Sequence, residues 1–224
     1  MADAARAAEQ LASGKTRLPP GRHGLPRAFV AENQRERLLN GVVEAIAEHG
    51  YNATTIGKIS EASKISRRTF YEYFASKEEC FLAAYAMVDD HVRGSMLAAA
   101  NPSEPWPEQV RSKLAALLDA LSRDPAVARF YLVEPLAAGN EIAARYRDAM
   151  RLLAETIRPR SPLSEMDVEV RDQVLMGGIA TLISRRLKGG GGDQLGELLP
   201  DLVELALAPY LGRDEARRVA RSQP

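Results

Sequence analysis

The sequence predicts an all-α fold of nine or ten helices, divided into a small N-terminal head of three helices and a larger helical body. Three observations carry this. Apolar residues recur at three- and four-residue spacing along most of the chain, and no alternating strand pattern competes. Two very short helical segments in 54–77 are joined by a tight turn. Clusters of proline and glycine at 19–26, 102–107 and 189–192 separate the periodic stretches.

The elements follow in order. Residues 15–30 hold three prolines, two glycines and four basic side chains, a composition that favours an extended arm over helix. A first helix spans about 33–49, with Leu38, Leu39, Val42, Val43 and Ile46 on one stripe and Gly50 ending it. The second spans 55–62, capped by the Thr55 hydroxyl, with Ile56 and Ile59 on its inner face. Ser66 caps the third, where Phe70 and Phe74, four apart, anchor one face to the core. The opposite face then carries basic, hydroxylated and aromatic residues. Ser76 and Glu79 form a capping box for a fourth helix that runs to about residue 100 and links head to body. Helical periodicity returns at about 107–122, 125–137, 140–158, 165–188 and 194–211; 189–192 is expected as a flexible loop and the charged tail from Arg213 as exposed.

Two short helices presenting such a face are the layout of a helix-turn-helix DNA reader. The stretch resembles the tetracycline repressor (TetR) family of bacterial transcription regulators. The resemblance rests on Thr-Thr-Ile at 54–56, Ala-x-x-Ile-Ser at 62–66, Thr-Phe-Tyr-x-Tyr-Phe at 69–74 and Ser-Lys-Glu at 76–78, and it covers about 33–85. One departure stands in the turn. Where the family usually has Ala-Gly, this chain has Ser63-Lys64, and a lysine held at positive φ costs about 1 kcal/mol. The expectation is a slightly strained or reshaped turn, with the fold kept and Lys64 near the DNA backbone.

Roles for the head residues follow. Arg67 and Arg68 can reach guanine O6 and N7 in the major groove or clamp phosphates, and the sequence does not choose between them. Thr69 can meet a base edge or a thymine methyl, while Tyr71 and Tyr73 can donate to phosphate. Ser66 and Lys64 complete the reading surface, Lys77 would sit at a helix start beside a phosphate, and the resemblance implies a backbone contact for Thr55. Arg22 and Arg27 would follow the phosphates or enter the minor groove from the arm, although the same composition fits a solvated tail.

Charge agrees with a DNA-binding head. The chain is neutral overall, yet residues 15–77 hold eleven Lys and Arg against six Glu, a net +5, which leaves −5 for the remainder. Domain boundaries are expected as an arm over 1–30, a DNA-binding unit over 31–78 and a ligand-binding and dimerisation unit over 79–224. With 46% hydrophobic and 27% charged residues the composition is that of a globular protein. The first fourteen residues do not read as a secretory signal and no stretch is long enough to span a membrane, so a cytoplasmic protein is expected. Cys80 is the single cysteine and reads as a small buried hydrophobe. His23, His49 and His91 are widely separated, so no metal, cofactor or enzymatic site is expected.

In the body, Leu175, Gly178, Ile179 and Leu182 form one stripe and Leu198, Leu202 and Leu205 another. Either can fill the protomer's own core. The resemblance implies instead a four-helix dimer interface, which would hold two reading heads about one DNA turn, ~34–36 Å, apart on a pseudo-palindromic operator. It also implies an effector pocket, for which Tyr85, Trp106, Phe130, Tyr131 and Tyr146 are the candidate apolar lining, although for any one of them ordinary core packing is the more common role. The function expected is a repressor released from its operator by a small apolar molecule through a body rearrangement passed along the fourth helix. The alternatives are a DNA-binding protein without an effector and a helical interaction module that no longer binds DNA.

Overall fold

A computed structural model of the chain describes residues 27–159 and 168–222. Ten α-helices lie among the described residues, and no strand. They are α1 (Arg27–His49), α2 (Ile56–Ser63), α3 (Arg67–Tyr73), α4 (Lys77–Ala99), α5 (Trp106–Arg123), α6 (Pro125–Leu132), α7 (Asn140–Ile157), α8 (Val168–Lys188), α9 (Leu199–Leu211) and α10 (Arg213–Arg221). Short 3-10 turns occupy Glu134–Ala137 and Gly192–Leu198. The chain separates into two compact units, Met1–Tyr85 and Ala86–Pro224, and α4 contributes residues to both.

The first unit is built on α1. Leu38, Val42 and Ile46 are fully buried, and Ile59 of α2, Phe70 of α3 and Phe81 of α4 are equally inaccessible. Burying one such side chain stabilises a fold by about 1.5–3 kcal/mol, so these residues carry much of a small core. Gly41 sets the spacing of α1 and α2. A Cβ there would stand 2.6 Å from Ser63 Cβ, closer than two carbons can approach without displacement. The aromatic packing continues through Phe70 and Phe74, with ring centroids 5.8 Å apart, and through Tyr51 edge-on to Phe81 at 5.4 Å.

Three boundaries differ from the sequence expectation. Helix α1 starts at Arg27 and not near 33, because Pro26 is the last residue before it that opposes helix and 27–32 form helix readily. Residues 27–30 therefore belong to a helix, not to an extended arm. The glycine run is ordered: Gly190 and Gly191 donate to Leu187 O and Arg186 O, ending α8, and Gly192 begins the next turn. The tail from Arg213 is helical and not simply exposed, since Ala216, Val219 and Ala220 share one face and are buried against the unit.

The second unit packs α5 against α9 and α10, and α7 against α8. Its centre holds Leu114, Leu118, Leu121, Phe130 and Tyr131. Polar groups are drawn inward at two points. Asp89 of α4 is fully buried, accepts from the Tyr131 hydroxyl at 2.7 Å and lies 3.6 Å from the Arg145 guanidinium. Asp172 of α8 is paired with Arg158 beyond the end of α7 and with the buried Arg171, whose guanidinium stacks 4.9 Å from the Tyr210 ring. Among the described residues no helix is long and apolar enough to cross a membrane.

Candidate nucleic-acid interface

Side chains nearby in sequence shape the reading head. The Thr55 hydroxyl accepts from Lys58 N at 3.3 Å and caps α2. Ser66 accepts from Thr69 N at 3.1 Å and caps α3, with Thr69 Oγ1 3.0 Å from its own oxygen. Ser76 accepts from Glu79 N at 3.1 Å, while the Glu79 carboxylate accepts from Ala75 N at 2.6 Å, one residue earlier than an ideal capping box.

Between α2 and α3 the turn takes the strained form expected. Lys64 has φ 54 and ψ 35, and among the described residues it is the one non-glycine with positive φ. Its cost is offset from outside the turn. The Arg37 guanidinium, from α1, donates to Ser63 O at 2.7 Å and to Lys64 O at 3.1 Å, holding the carbonyls of both turn residues. Arg37 was not singled out in the sequence, where nothing connects it to a turn 26 residues away.

Helix α3 presents its two faces as the Phe70 and Phe74 spacing predicts. Both phenylalanines are buried; Arg67, Arg68, Tyr71 and Glu72 are exposed and Thr69 is partly so. The Arg68 side chain is 93% accessible, with only Glu72, 3.8 Å away, beside it. Tyr71 stands 59% exposed with its ring edge-on to Phe70 at 5.6 Å.

Two residues expected to contact phosphate are engaged within the head. Lys77 Nζ donates to Tyr51 O at 2.7 Å and Thr54 O at 3.0 Å and lies 4.0 Å from the Tyr51 ring centre. It fastens the α1–α2 loop to the start of α4, and an ammonium has only three donors, so at most one remains for DNA. Burial lowers the Lys77 pKa. Tyr73 donates its hydroxyl to Gln34 Oε1 at 2.8 Å, so the proton intended for a phosphate is already committed to α1. Burial, then Glu72 and Glu32, raise its pKa and keep that proton in place. Arg22 lies outside the described residues, and Arg27 is the first residue of α1.

The body residues divide differently from expectation. Leu175, Ile179, Leu198 and Leu202 are between 0% and 6% exposed within a single chain, so they fill the protomer's own core and cannot also be seated in a partner. Gly178 faces inward too, since a Cβ there would lie 3.2 Å from Leu205 Cδ2 of α9. Leu182 and Leu205 are half-buried. The exposed apolar face of α8 carries Val170 and Val174, with Gly177 and Thr181 in line, and the Thr181 hydroxyl is folded back onto Gly177 O at 2.7 Å. Of the aromatics proposed for a pocket, Tyr85, Phe130 and Tyr131 are fully buried core residues, and Trp106 is edge-on to Tyr210 at 5.2 Å with its indole N–H on Ile157 O. Tyr146 alone of the five lines the groove of about 840 Å³ between α7 and α8, together with Met150, Met176, Arg158 and Asp172.

Residues 38–84 match the bacterial regulatory proteins of the tetR family. The chain is 28% identical over 183 residues to the HTH-type transcriptional repressor AcnR of Corynebacterium efficiens, covering 78% of this chain and 93% of that protein. It is 31% identical over 107 residues to the HTH-type transcriptional regulator TcmR of Streptomyces glaucescens, covering 46% of this chain and 47% of that one. Its fold is similar to that of the transcriptional regulator FadR from Bacillus subtilis, solved in complex with stearoyl-CoA, at a TM-score of 0.64 and 18% identity over 79% of this chain and 97% of that one.

Proposed function

Because the chain belongs to the tetR family of bacterial regulatory proteins and is a DNA-binding transcriptional regulator, not an enzyme, we propose that it acts as a homodimeric repressor displaced from a pseudo-palindromic operator by a small molecule bound in its second unit. One observation carries the DNA-binding half of this reading. Phe70 of α3 and Phe74 just after it turn inward, and α3, capped by Ser66, sets Arg68, Thr69 and Tyr71 outward. Polarity as a repressor is supported by the likeness to AcnR over most of both chains.

The dimer would use the outer face of α8, centred on Val174 and Gly177, beside the half-buried Leu205 of α9. Exposed valines in line with a glycine favour close approach of a second helix, and their exposure in a lone protomer would leave apolar surface to be covered. The effector would occupy the groove between α7 and α8. Its size falls within the range of small-molecule sites, and Tyr146, Met150 and Met176 supply apolar wall while charged side chains, the Arg158–Asp172 pair among them, line most of the rest. This is consistent with a ligand that joins an apolar body to a polar or charged group, and FadR of Bacillus subtilis, solved in complex with stearoyl-CoA, is a protein of similar fold.

The test is binding to the duplex upstream of the chain's own gene, at near-physiological salt and with excess nonspecific competitor. A discrete competitor-resistant complex of two subunits per site is expected. Binding abolished by competitor, there and on a randomised operator library, would reject the reading. On a confirmed operator, effector candidates should raise the melting temperature and release DNA together.

A further inference from the structure

The two adjacent arginines of α3 are placed differently, and the difference sorts their roles. At about 100° per residue, Arg67 lies three positions before Phe70, on the flank of the buried face, whereas Arg68 lies nearly opposite it. The side chains follow these directions. Arg67 extends across to α2, where its guanidinium lies against Gly57. A Cβ at Gly57 would stand 3.2 Å from Arg67 Cζ, 3.4 Å from Nε and closer still to Nη2, so an added methyl would push the guanidinium aside from this seat. Arg68 makes no such excursion. Its side chain is 93% accessible on the outward side of α3, with the Glu72 carboxylate 3.8 Å from Nε and Thr69 and Tyr71 as its neighbours in sequence on that side.

We propose that Arg68 reads a base edge in the major groove and that Arg67, seated on Gly57, contacts the DNA backbone. This rests on the regulator reading above. A base edge is reached from the outward axis of a recognition helix, and a guanidinium there can donate two parallel bonds to guanine O6 and N7. Arg67 has used its length running back over α2, which leaves its charge at the margin of the reading surface, where phosphates pass and positioning contacts are made.

The test uses the full-length protein and variants R67A, R68A, R68K and G57A, measured on the operator, on its single-base substitutions and across a salt series. R68A should flatten preference at one base position in each half-site, by roughly five- to a hundred-fold in discrimination. R68K should lose the same preference while keeping the salt slope, since it retains charge without the two-pronged geometry. R67A should weaken every duplex alike and make the dependence of log K on log salt shallower by about one per subunit. G57A should weaken every duplex alike but by less than R67A and with the salt slope kept, because the new methyl shifts the guanidinium from its seat while the charge remains; the helix itself tolerates alanine better than glycine. The G57A/R67A double variant should bind no more weakly than R67A.

Base preference altered by R67A, or a uniform loss with a shallower salt slope in R68A, would overturn the assignment. G57A binding like the wild type would overturn the seat. A wild-type protein without a competitor-resistant complex on any sequence would remove the regulator reading itself, an outcome separable from the others because it precedes any variant.

Discussion

The helix-turn-helix of the first unit and the α8–α9 pair of the second are both written in apolar stripes, but they constrain the chain to different degrees. In the helix-turn-helix both stripes are short and begin at a cap, and Thr55, Ser66 and, at the next helix, Ser76 each accept from the backbone three residues on, so helix register and the outward face of α3 follow from local chemistry. In α8, apolar or small residues occupy much of the circumference. Val170, Val174 and Gly177 face solvent while Leu175, Ile179 and Ile183 face the core, and both sets have helical spacing. A cap defines where a helix begins and a stripe defines that it has an apolar side. Neither says which of two apolar sides is covered by the same chain.

This contrast can be broken by substitution. The largest effect is expected from Phe70→Ala, which removes a fully buried ring and should cost about 3–5 kcal/mol in urea unfolding of the head together with operator binding. A head that kept its cooperative transition would sever the link between the Phe70 anchor and the reading face. On α8 and α9, Leu202→Ala should destabilise the second unit by about 2–5 kcal/mol. Val174→Arg should leave the fold intact and shift sedimentation from dimer to monomer. A Val174→Arg protein that remains dimeric at nanomolar concentration would move the interface off this face.

Smaller effects test the turn. Arg37→Ala removes two charge-assisted bonds to the Ser63 and Lys64 carbonyls and should cost about 1–2 kcal/mol, reduced by solvent at the Lys64 end. Lys64→Gly should return about 1 kcal/mol, and in that background the loss from Arg37→Ala should shrink. Strict additivity in this cycle would show that Arg37 does not act on the strained residue.

The smallest is a pH effect at Cys80. Burial pushes its thiol from an ordinary 9.0 up to about 12, so the folded chain holds the proton more tightly than the unfolded one. Its contribution to stability is full below pH 9 and is lost as pH rises toward 12. Thiol labelling at pH 8 should therefore proceed only at the rate of unfolding, and rapid labelling of the native protein would contradict the burial.

The amino-acid sequence by itself determined the helical class, the helix starts at the three caps, the buried phenylalanines at 70 and 74 and the place of the turn at Ser63-Lys64. Each depends on groups within a few residues of one another. Only the tertiary structure decided that Lys77 and Tyr73 turn inward to the Tyr51 and Thr54 carbonyls and to Gln34, because their partners lie 23 to 39 residues away. It likewise decided that Arg37 braces the turn, that Arg67 lies on Gly57, and which face of α8 is left outside. An amphipathic pattern records how much apolar surface must be buried, and the direction in which it is buried is set by the neighbours that long-range packing brings to it.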